Sequence, residues 1–251
     1  MTRVIKIGGR PQGDLQLAAI IAEAWDAVSG MVIVHGGGDE VSALQEALGV
    51  SSQFVDGRRV TTARDVELVR MALSGTANKR LVSALVREGV RAVGISGEDA
   101  SLIAATPVDA ARLGHVGAPQ RVNASLLLHL IDGGYLPVVS PVSRNVGLEL
   151  GPALNVNADD AAAAVAVAIE ATELVIVSDV EGVLVDEKPE EDLTIAEARG
   201  LMQDGRASGG MSAKLSAAIT AVEGGVKVVR ITDLGGIGDR DRGTRILRDA
   251  E

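Results

Sequence analysis

Cysteine is absent from the 251-residue chain, and aromatic rings nearly so: Trp25, Phe54 and Tyr135 are the whole supply. Without cysteine there is neither a disulfide framework nor a thiolate metal site. With so few rings there is no platform on which successive bases could stack. Positive charge is also short: a formal net charge of −10 argues against a phosphate-backbone partner, so no nucleic acid is expected. Long apolar runs are missing too. The longest, Ala161 to Ile169, cannot span a bilayer. The opening MTRVIKIGG passes into a strand-like run with no apolar leader. The expectation is a cytoplasmic protein with no membrane partner.

What is present is aliphatic: 47% of the residues are hydrophobic, enough for a sizeable core built from Ala, Val, Leu and Ile. Runs at 4–7, 31–35, 92–95, 136–140, 174–178 and 227–232 read as strands, most of them apolar on both faces. Between them lie helical patterns near 14–28, 39–48, 64–88, 123–132, 158–171, 193–203 and 211–223. This alternation predicts an α/β fold with an open, mainly parallel sheet sandwiched between helices in three αβα layers. A division into lobes 1–171 and 172–251 is expected after the long Ala-rich helix. The acidic stretch Asp186 to Asp192 reads as a solvated loop.

An acidic protein can still hold anions if it concentrates cations and backbone N–H groups locally. Lys6-Ile7-Gly8-Gly9 ends the first strand and His35-Gly36-Gly37-Gly38 ends the second, just before a helix near Asp39. Strand, glycines, helix is a pattern that cradles phosphate or carboxylate, although it also makes a plain tight turn. It is neither a Walker A loop nor a dinucleotide fingerprint, because the required spacings are missing. His35 reads as a packed structural histidine. Lys6 either faces the loop-lined crevice or snorkels to water. Arg58 and Arg59, in a turn-like loop, could clamp a carboxylate or lie solvated on the surface. Asn155-Val156-Asn157-Ala158-Asp159 opens an apolar helix, where capping alone explains one polar residue but not three. If that helix has begun by Asn155, Asn155 and Asp159 share a face, and the carboxylate could hold two lysines. Gly209-Gly210-Met211-Ser212-Ala213-Lys214 begins another helix and puts a cation against the helix dipole, as a bound anion would favour and an exposed lysine would not need. Asp179 and Glu181, in a turn after a strand, either bind nucleotide hydroxyls or simply terminate the strand.

Taken in order, these segments resemble the amino acid kinase family, most closely its acetylglutamate kinase branch. Further matches are Gly57-Arg58-Arg59-Val60-Thr61, Leu73-Ser74-Gly75-Thr76-Ala77-Asn78-Lys79, Gly114-His115-Val116-Gly117, Gly134-Tyr135-Leu136-Pro137 and Gly243-Thr244-Arg245-Ile246. The resemblance implies ATP-dependent phosphorylation of the γ-carboxylate of N-acetyl-L-glutamate, a step of arginine biosynthesis. It implies catalytic Lys6 and Lys214 organised by Asp159. Gly37, Gly38, Arg59 and Asn155 would bind the substrate. Gly8, Gly9, the turn Asp179, Val180, Glu181, Gly182, Val183, Leu184, and Arg206, Ala207, Ser208 would bind the nucleotide. Mg²⁺ would ride on the ATP phosphates, with no protein metal site. Related expectations are succinylglutamate or carrier-linked aminoadipate as acceptor, or a non-catalytic nucleotide or amino-acid sensor; a nicotinamide dehydrogenase lacks its fingerprint. Arginine-sensitive relatives carry an extra N-terminal helix that joins dimers into a hexamer. Here the first strand starts near residue 3, so a homodimer joined through the N-terminal lobe and insensitive to arginine is expected. The acceptor carboxylate is already ionised at pH 7, so no general base is needed and none is found.

Overall fold

The computed structural model describes residues 2–28, 30–55, 57–147, 151–185 and 188–249. Eleven strands form one sheet: β1 (Thr2–Ile7), β2 (Gly30–His35), β3 (Ala92–Gly97), β4 (Ile103–Pro107), β5 (Val116–Val122), β6 (Leu136–Asn145), β7 (Leu154–Val156), β8 (Glu173–Val177), β9 (Asp192–Thr194), β10 (Val228–Thr232) and β11 (Thr244–Leu247). Their order is β9-β11-β10-β8-β1-β2-β6-β4-β5-β7, with β3 also paired to β6. Pairing is parallel through the centre and antiparallel at β10–β11, β4–β5 and β6–β7. Every strand from β8 onward lies on one side of β1, and every earlier strand on the other.

Besides the single turn Ala110–Leu113, eight longer α-helices occur among the described residues: α1 (Leu17–Asp26), α2 (Gly38–Ala47), α3 (Ala63–Val69), α4 (Asn78–Arg87), α5 (Ala124–Asp132), α6 (Ala158–Ala168), α7 (Ile195–Gln203) and α8 (Gly209–Glu223). Two-residue alternation along the central strands sorts the core into layers. Val4, Val32, Val34, Leu174 and Ile176 pack against Leu127, the alanines of α6 and Leu215 of α8. Ile5, Ile7, Met31, Ile33 and Val175 pack on the other face against Leu17 and Ile21 of α1 and Leu81 and Leu85 of α4. A third cluster joins Val41 of α2 to Val66, Val69, Ala72 and Leu73. The three-layer architecture expected from the sequence is the one observed.

Three details differ from expectation. The periodic stretch 64–88 is not a single α-helix: residues Arg70–Ala77 between α3 and α4 widen into a π-helical segment. Such widened turns re-aim side chains, and here Leu73 is directed toward the crevice while Ser74 Oγ meets Ser140 Oγ at 2.6 Å. The sheet is also longer than the apolar runs suggest. β4, β5, β7, β9 and β11 lie at or near its margins, where half-exposed strands carry polar residues that blur the signal. Within the stretch read as a loop, Lys188–Pro189 pairs antiparallel with Leu184–Val185. Asp186 and Glu187 of that stretch lie outside the described residues.

Candidate active site

The carboxyl ends of β1, β2 and β8 meet the amino ends of α2, α6 and α8, on either side of the point where the connections from β1 diverge. In parallel sheets this is where ligands bind. Two cavities open there. One, of about 250 Å³, is lined by Lys6, Gly36, Gly37, Gly38, Phe54, Arg58, Arg59, Leu73, Asn155 and Asp159 among others. The other, of about 660 Å³, is lined by Pro11, Asp39, Ser178, Asp179, Val180, Gly210, Met211 and Lys214. Gly8, Gly9 and Gly38 belong to both walls, so the two cavities adjoin at the glycine loops.

The glycines are placed for close approach. Gly37 precedes α2 at φ +145°, and a Cβ there would lie 2.7 Å from Leu73 Cδ2, so only glycine is accommodated. Gln12 Nε2 donates to Gly8 O at 3.2 Å and to Gly36 O at 2.9 Å, tying the two loops together. His35 sits beneath them, wholly buried. Its Nδ1 faces Gly36 O at 2.8 Å and its Nε2 faces Asn78 Nδ2 at 3.1 Å. A carbonyl can only accept, so Nδ1 carries the proton and Nε2 accepts from the amide. Burial lowers the imidazole pKa, keeping it neutral. His35 is structural, as the sequence suggested.

Lys6 lies on the α6 side of β1, and its Nζ pairs with Asp159 Oδ1 at 2.8 Å, both side chains buried. Asp159 is held by its own helix start: Asn157 is the N-cap of α6, its Oδ1 accepting from the Asp159 N–H at 2.7 Å. Asn155 belongs to β7 rather than α6, so it and Asp159 do not share a helix face as the sequence left open. Asn155 instead reaches the cavity from the strand, its Nδ2 donating to Thr61 Oγ1 at 3.1 Å.

Lys214 stands across the glycine loops from Lys6, on the second turn of α8. Its Nζ donates weakly to Gly210 O at 3.4 Å. Burial and then the Lys6 charge lower its pKa, while Asp159 and Asp179 oppose them. The two ammonium groups therefore feel each other's field. Among the described residues the Asp159 carboxylate pairs with Lys6 and acts on Lys214 at a distance.

Arg59 is buried in the wall of the smaller cavity, over the Phe54 ring at 4.7 Å from its centroid. Its Nη1 donates to Gln45 Oε1 at 2.6 Å and Ser52 Oγ at 2.7 Å, and its Nη2 to Gly38 O at 2.9 Å and Ser42 Oγ at 2.8 Å. All four acceptors are neutral. Arg58, its neighbour, pairs with Asp160 Oδ2 at 3.1 Å.

On the nucleotide side, Asp179 and Val180 line the larger cavity, whereas Glu181, Gly182, Val183 and Leu184 line neither. Glu181 pairs with Arg242 at 3.1 Å, and Val183 N–H donates to Thr244 Oγ1 at 2.8 Å, so this turn is braced by the loop before β11. Arg206, Ala207 and Ser208 also lie outside both linings, with Arg206 paired to Asp204 at 2.7 Å. Sequence reasoning missed Gln12, Ser42, Gln45 and Asp39. Isolated polar residues on helices and turns carry no pattern, and only tertiary placement gives them a role.

Fold and site together define an α/β protein in which two adjoining cavities, one lined by Lys6 and the other by Lys214, meet at glycine loops. The family model for the amino acid kinase family matches residues 1–233, and the chain belongs to that family. Among curated proteins it is 42% identical to the acetylglutamate kinase of Roseiflexus sp. (strain RS-1), over 100% of this chain and 95% of that one. It is 40% identical to the acetylglutamate kinase of Wolinella succinogenes, over 92% and 83% of the two chains. A crystal structure from Streptococcus mutans UA159 superposes with a TM-score of 0.88 at 30% identity, over 99% of both chains. A carbamate kinase from Giardia lamblia bound to AMP-PNP, at 20% identity and TM-score 0.77 over 99% of this chain and 98% of that one, shares the fold. Among the described residues no helix is long and apolar enough to cross a membrane.

Proposed function

We infer that the protein transfers the γ-phosphoryl group of ATP to the γ-carboxylate of N-acetyl-L-glutamate, yielding N-acetyl-L-glutamyl 5-phosphate and ADP. The observation that carries this reading is the pair of adjoining cavities, one holding Lys6 and Arg59 and the other Lys214, with glycine N–H groups on the wall between them. In-line transfer between two anions needs them brought together and the equatorial oxygens neutralised. Arg59 and Asn155 orient the acylated glutamate from the wall of the smaller cavity, so that its side-chain carboxylate points to Gly8, Gly9 and Lys6. Lys214 meets the phosphates from the larger cavity. Asp159 holds Lys6 in line and exchanges no proton.

The larger cavity, with Lys214, the backbone of Gly9 and Gly210, and the carboxylates of Asp39 and Asp179, suits a nucleotide triphosphate. Those two carboxylates are hard oxygen donors of the kind Mg²⁺ prefers. An ion brought in on the ATP phosphates would meet those carboxylates in this cavity. Its contribution there is to neutralise phosphate charge. Glu181 to Leu184 and Arg206 to Ser208 frame this side from outside the cavity wall. The lobes 1–171 and 172–251 then correspond to acceptor and nucleotide halves that share β1 and β8 as their seam.

A coupled ADP-release assay with acetyl-, succinyl- and unacylated glutamate tests the reading. Turnover with N-acetylglutamate is expected, and no ADP above background with any acceptor would sink it. A second reading, an acyl group bearing its own carboxylate, draws support from Arg58, whose Nη1 is buried without a partner among the described residues beside the same cavity; preference for succinylglutamate in that panel would establish it. The reading also carries a cytoplasmic homodimer joined through residues 1–171, where the exposed apolar side chains Met71, Val86, Val108 and Leu128 all fall. A monomeric mass in sedimentation equilibrium would refute that.

A further inference from the structure

A buried guanidinium ordinarily finds a carboxylate, because an uncompensated charge away from water is costly. Arg59 has none in contact among the described residues, although Asp65 lies one side chain away. Gln45 stands between them. Its Nε2 donates to Asp65 Oδ1 at 2.8 Å, while its Oε1 accepts from Arg59 Nη1 at 2.6 Å and from Ser52 Oγ at 2.7 Å. Only 1% of Gln45 is exposed, and it does not line the cavity. Its amide cannot be reversed without aiming N–H groups at the guanidinium, so its orientation follows from its neighbours.

Asp65 is engaged elsewhere. It closes the capping box of α3, where its Oδ2 accepts from Thr62 N–H at 2.9 Å and Thr62 Oγ1 at 2.7 Å. Burial raises its pKa, but the hydrogen bonds from Thr62 and Gln45 and the charge on Arg59 outweigh that and hold it below the ordinary value. It is therefore an ionised carboxylate committed to a helix cap, with one oxygen turned toward Gln45 rather than Arg59.

We propose that Gln45 is a positioning residue that keeps the Asp65 carboxylate off Arg59, so that the Arg59 charge stays uncancelled and correctly aimed for the carboxylate of the acceptor substrate. This rests on the acceptor role given to Arg59 above. Four neutral oxygens fix the guanidinium plane, and Phe54 covers one face. The Nε–H has no partner among the described residues. An incoming carboxylate meets a rigid cation that has no competing anion to displace, which favours binding through preorganisation. A direct Arg59–carboxylate pair would hold the arginine equally well and remove that attraction.

The experiment uses the full chain as wild type, Gln45→Glu, Gln45→Met and the double variant Gln45→Glu/Asp65→Asn. Calorimetric Kd for N-acetylglutamate is measured beside steady-state KM and kcat, with thermal melts to confirm folding. Gln45→Glu puts a carboxylate on Arg59, so Kd and KM for N-acetylglutamate rise about tenfold or more, while kcat and the KM for ATP stay within about twofold. Adding Asp65→Asn removes the like charge facing the introduced carboxylate, so the loss persists or deepens. Gln45→Met, neutral but unable to brace Arg59, loses roughly threefold. If Gln45→Glu does not fold against Asp65, the double variant carries the same test without that repulsion.

Wild-type affinity in Gln45→Glu would overturn the proposal. So would recovery in the double variant, which assigns the loss to repulsion, or a fall in kcat equal to the rise in KM. A wild type that binds N-acetylglutamate without turnover would sink the proposed reaction while the Kd series still decides the role of Gln45. A wild type that neither binds nor phosphorylates it overturns both.

Discussion

Two buried arginines set the crevice apart from the opposite end of the sheet. Arg230, reaching toward the amino end of β8, gives Nη2 to Glu173 Oε1 at 2.7 Å and to Gly236 O at 3.0 Å, and Nη1 to Asp239 O and Arg242 O. Arg3 completes the cluster, its Nε 2.7 Å from Glu173 Oε2 and its Nη2 donating to Ile237 O at 3.0 Å. Both arginines share one carboxylate and use carbonyls of the 234–243 loop for the rest. Arg59 is as fully hydrogen-bonded at Nη1 and Nη2, yet only by neutral oxygens. Burial lowers its pKa, and the carboxylates that oppose this, Asp65 and Asp39, act from a distance. Hydrogen-bond satisfaction thus does not tell the two environments apart. Charge compensation does.

Breaking the compensated cluster has the largest expected effect. Glu173→Gln leaves two buried guanidinium groups without a counterion, which costs about 3–5 kcal/mol. The thermal midpoint should fall by roughly 6–20 °C, while kcat of the folded fraction stays near wild type. An unchanged melt would erase the distinction drawn between the two ends of the molecule. Next is Lys214→Ala. On the role proposed for it, this removes a cation from the transferring group but strands no buried carboxylate, so kcat should fall about 10²- to 10³-fold with little change in melting. Lys6→Ala reads less cleanly, because it leaves Asp159 buried and unpaired. Near-normal turnover for Lys214→Ala would refute its assigned role.

Smaller still is Arg59→Met. Losing a charge-assisted carboxylate contact is worth about 1.5–3 kcal/mol, so KM for N-acetylglutamate should rise roughly 10- to 150-fold. The melting change should be well short of that in Glu173→Gln, because the acceptors left behind are neutral and border a cavity. A melt as damaged as that of Glu173→Gln would make Arg59 a brace like Arg230.

The same contrast explains what could be read from the chain in advance. The central strands and their helices were legible because burial on both faces leaves continuous aliphatic runs at β1, β2, β6, β8 and β10. Lys6, Lys214 and Arg59 stood out because each sits beside glycines or a turn, at an odds with the apolar pattern around it. Arg3, Glu173 and Arg230 did not. They lie at even spacing within strands, and nothing local indicates that β1, β8 and β10 are neighbours. Gln45 was invisible for a related reason: its role depends on α2, α3 and the 54–59 hairpin converging, which is a tertiary fact. The π-helical segment at Arg70–Ala77 is too short for its wider turn to stand out from the α-helical pattern on either side, so its register shift left no mark.

The smallest effect concerns pH, and it sharpens the comparison from the other lysine-bearing side. Lys214 is a cation whose pKa burial and Lys6 push below the ordinary 10.5. The profile of kcat/KM for ATP, which reports the free enzyme, should therefore lose activity on an alkaline limb that begins below that value. Bound phosphates favour the charged form, so the limb in kcat should lie at higher pH than the limb in kcat/KM. The linkage sign is opposite to that of a lysine gaining a partner. Between the depressed folded pKa and the unfolded value near 10.5, the unfolded chain holds more protons, so stability arising from Lys214 increases as pH rises through that window. Wild type should accordingly lose slightly less stability across that range than Lys214→Met in paired urea titrations. Coincident limbs in kcat and kcat/KM, unmoved by nucleotide, would mean that no anion reaches the Lys214 ammonium, and would remove it from the phosphate-binding role proposed for it.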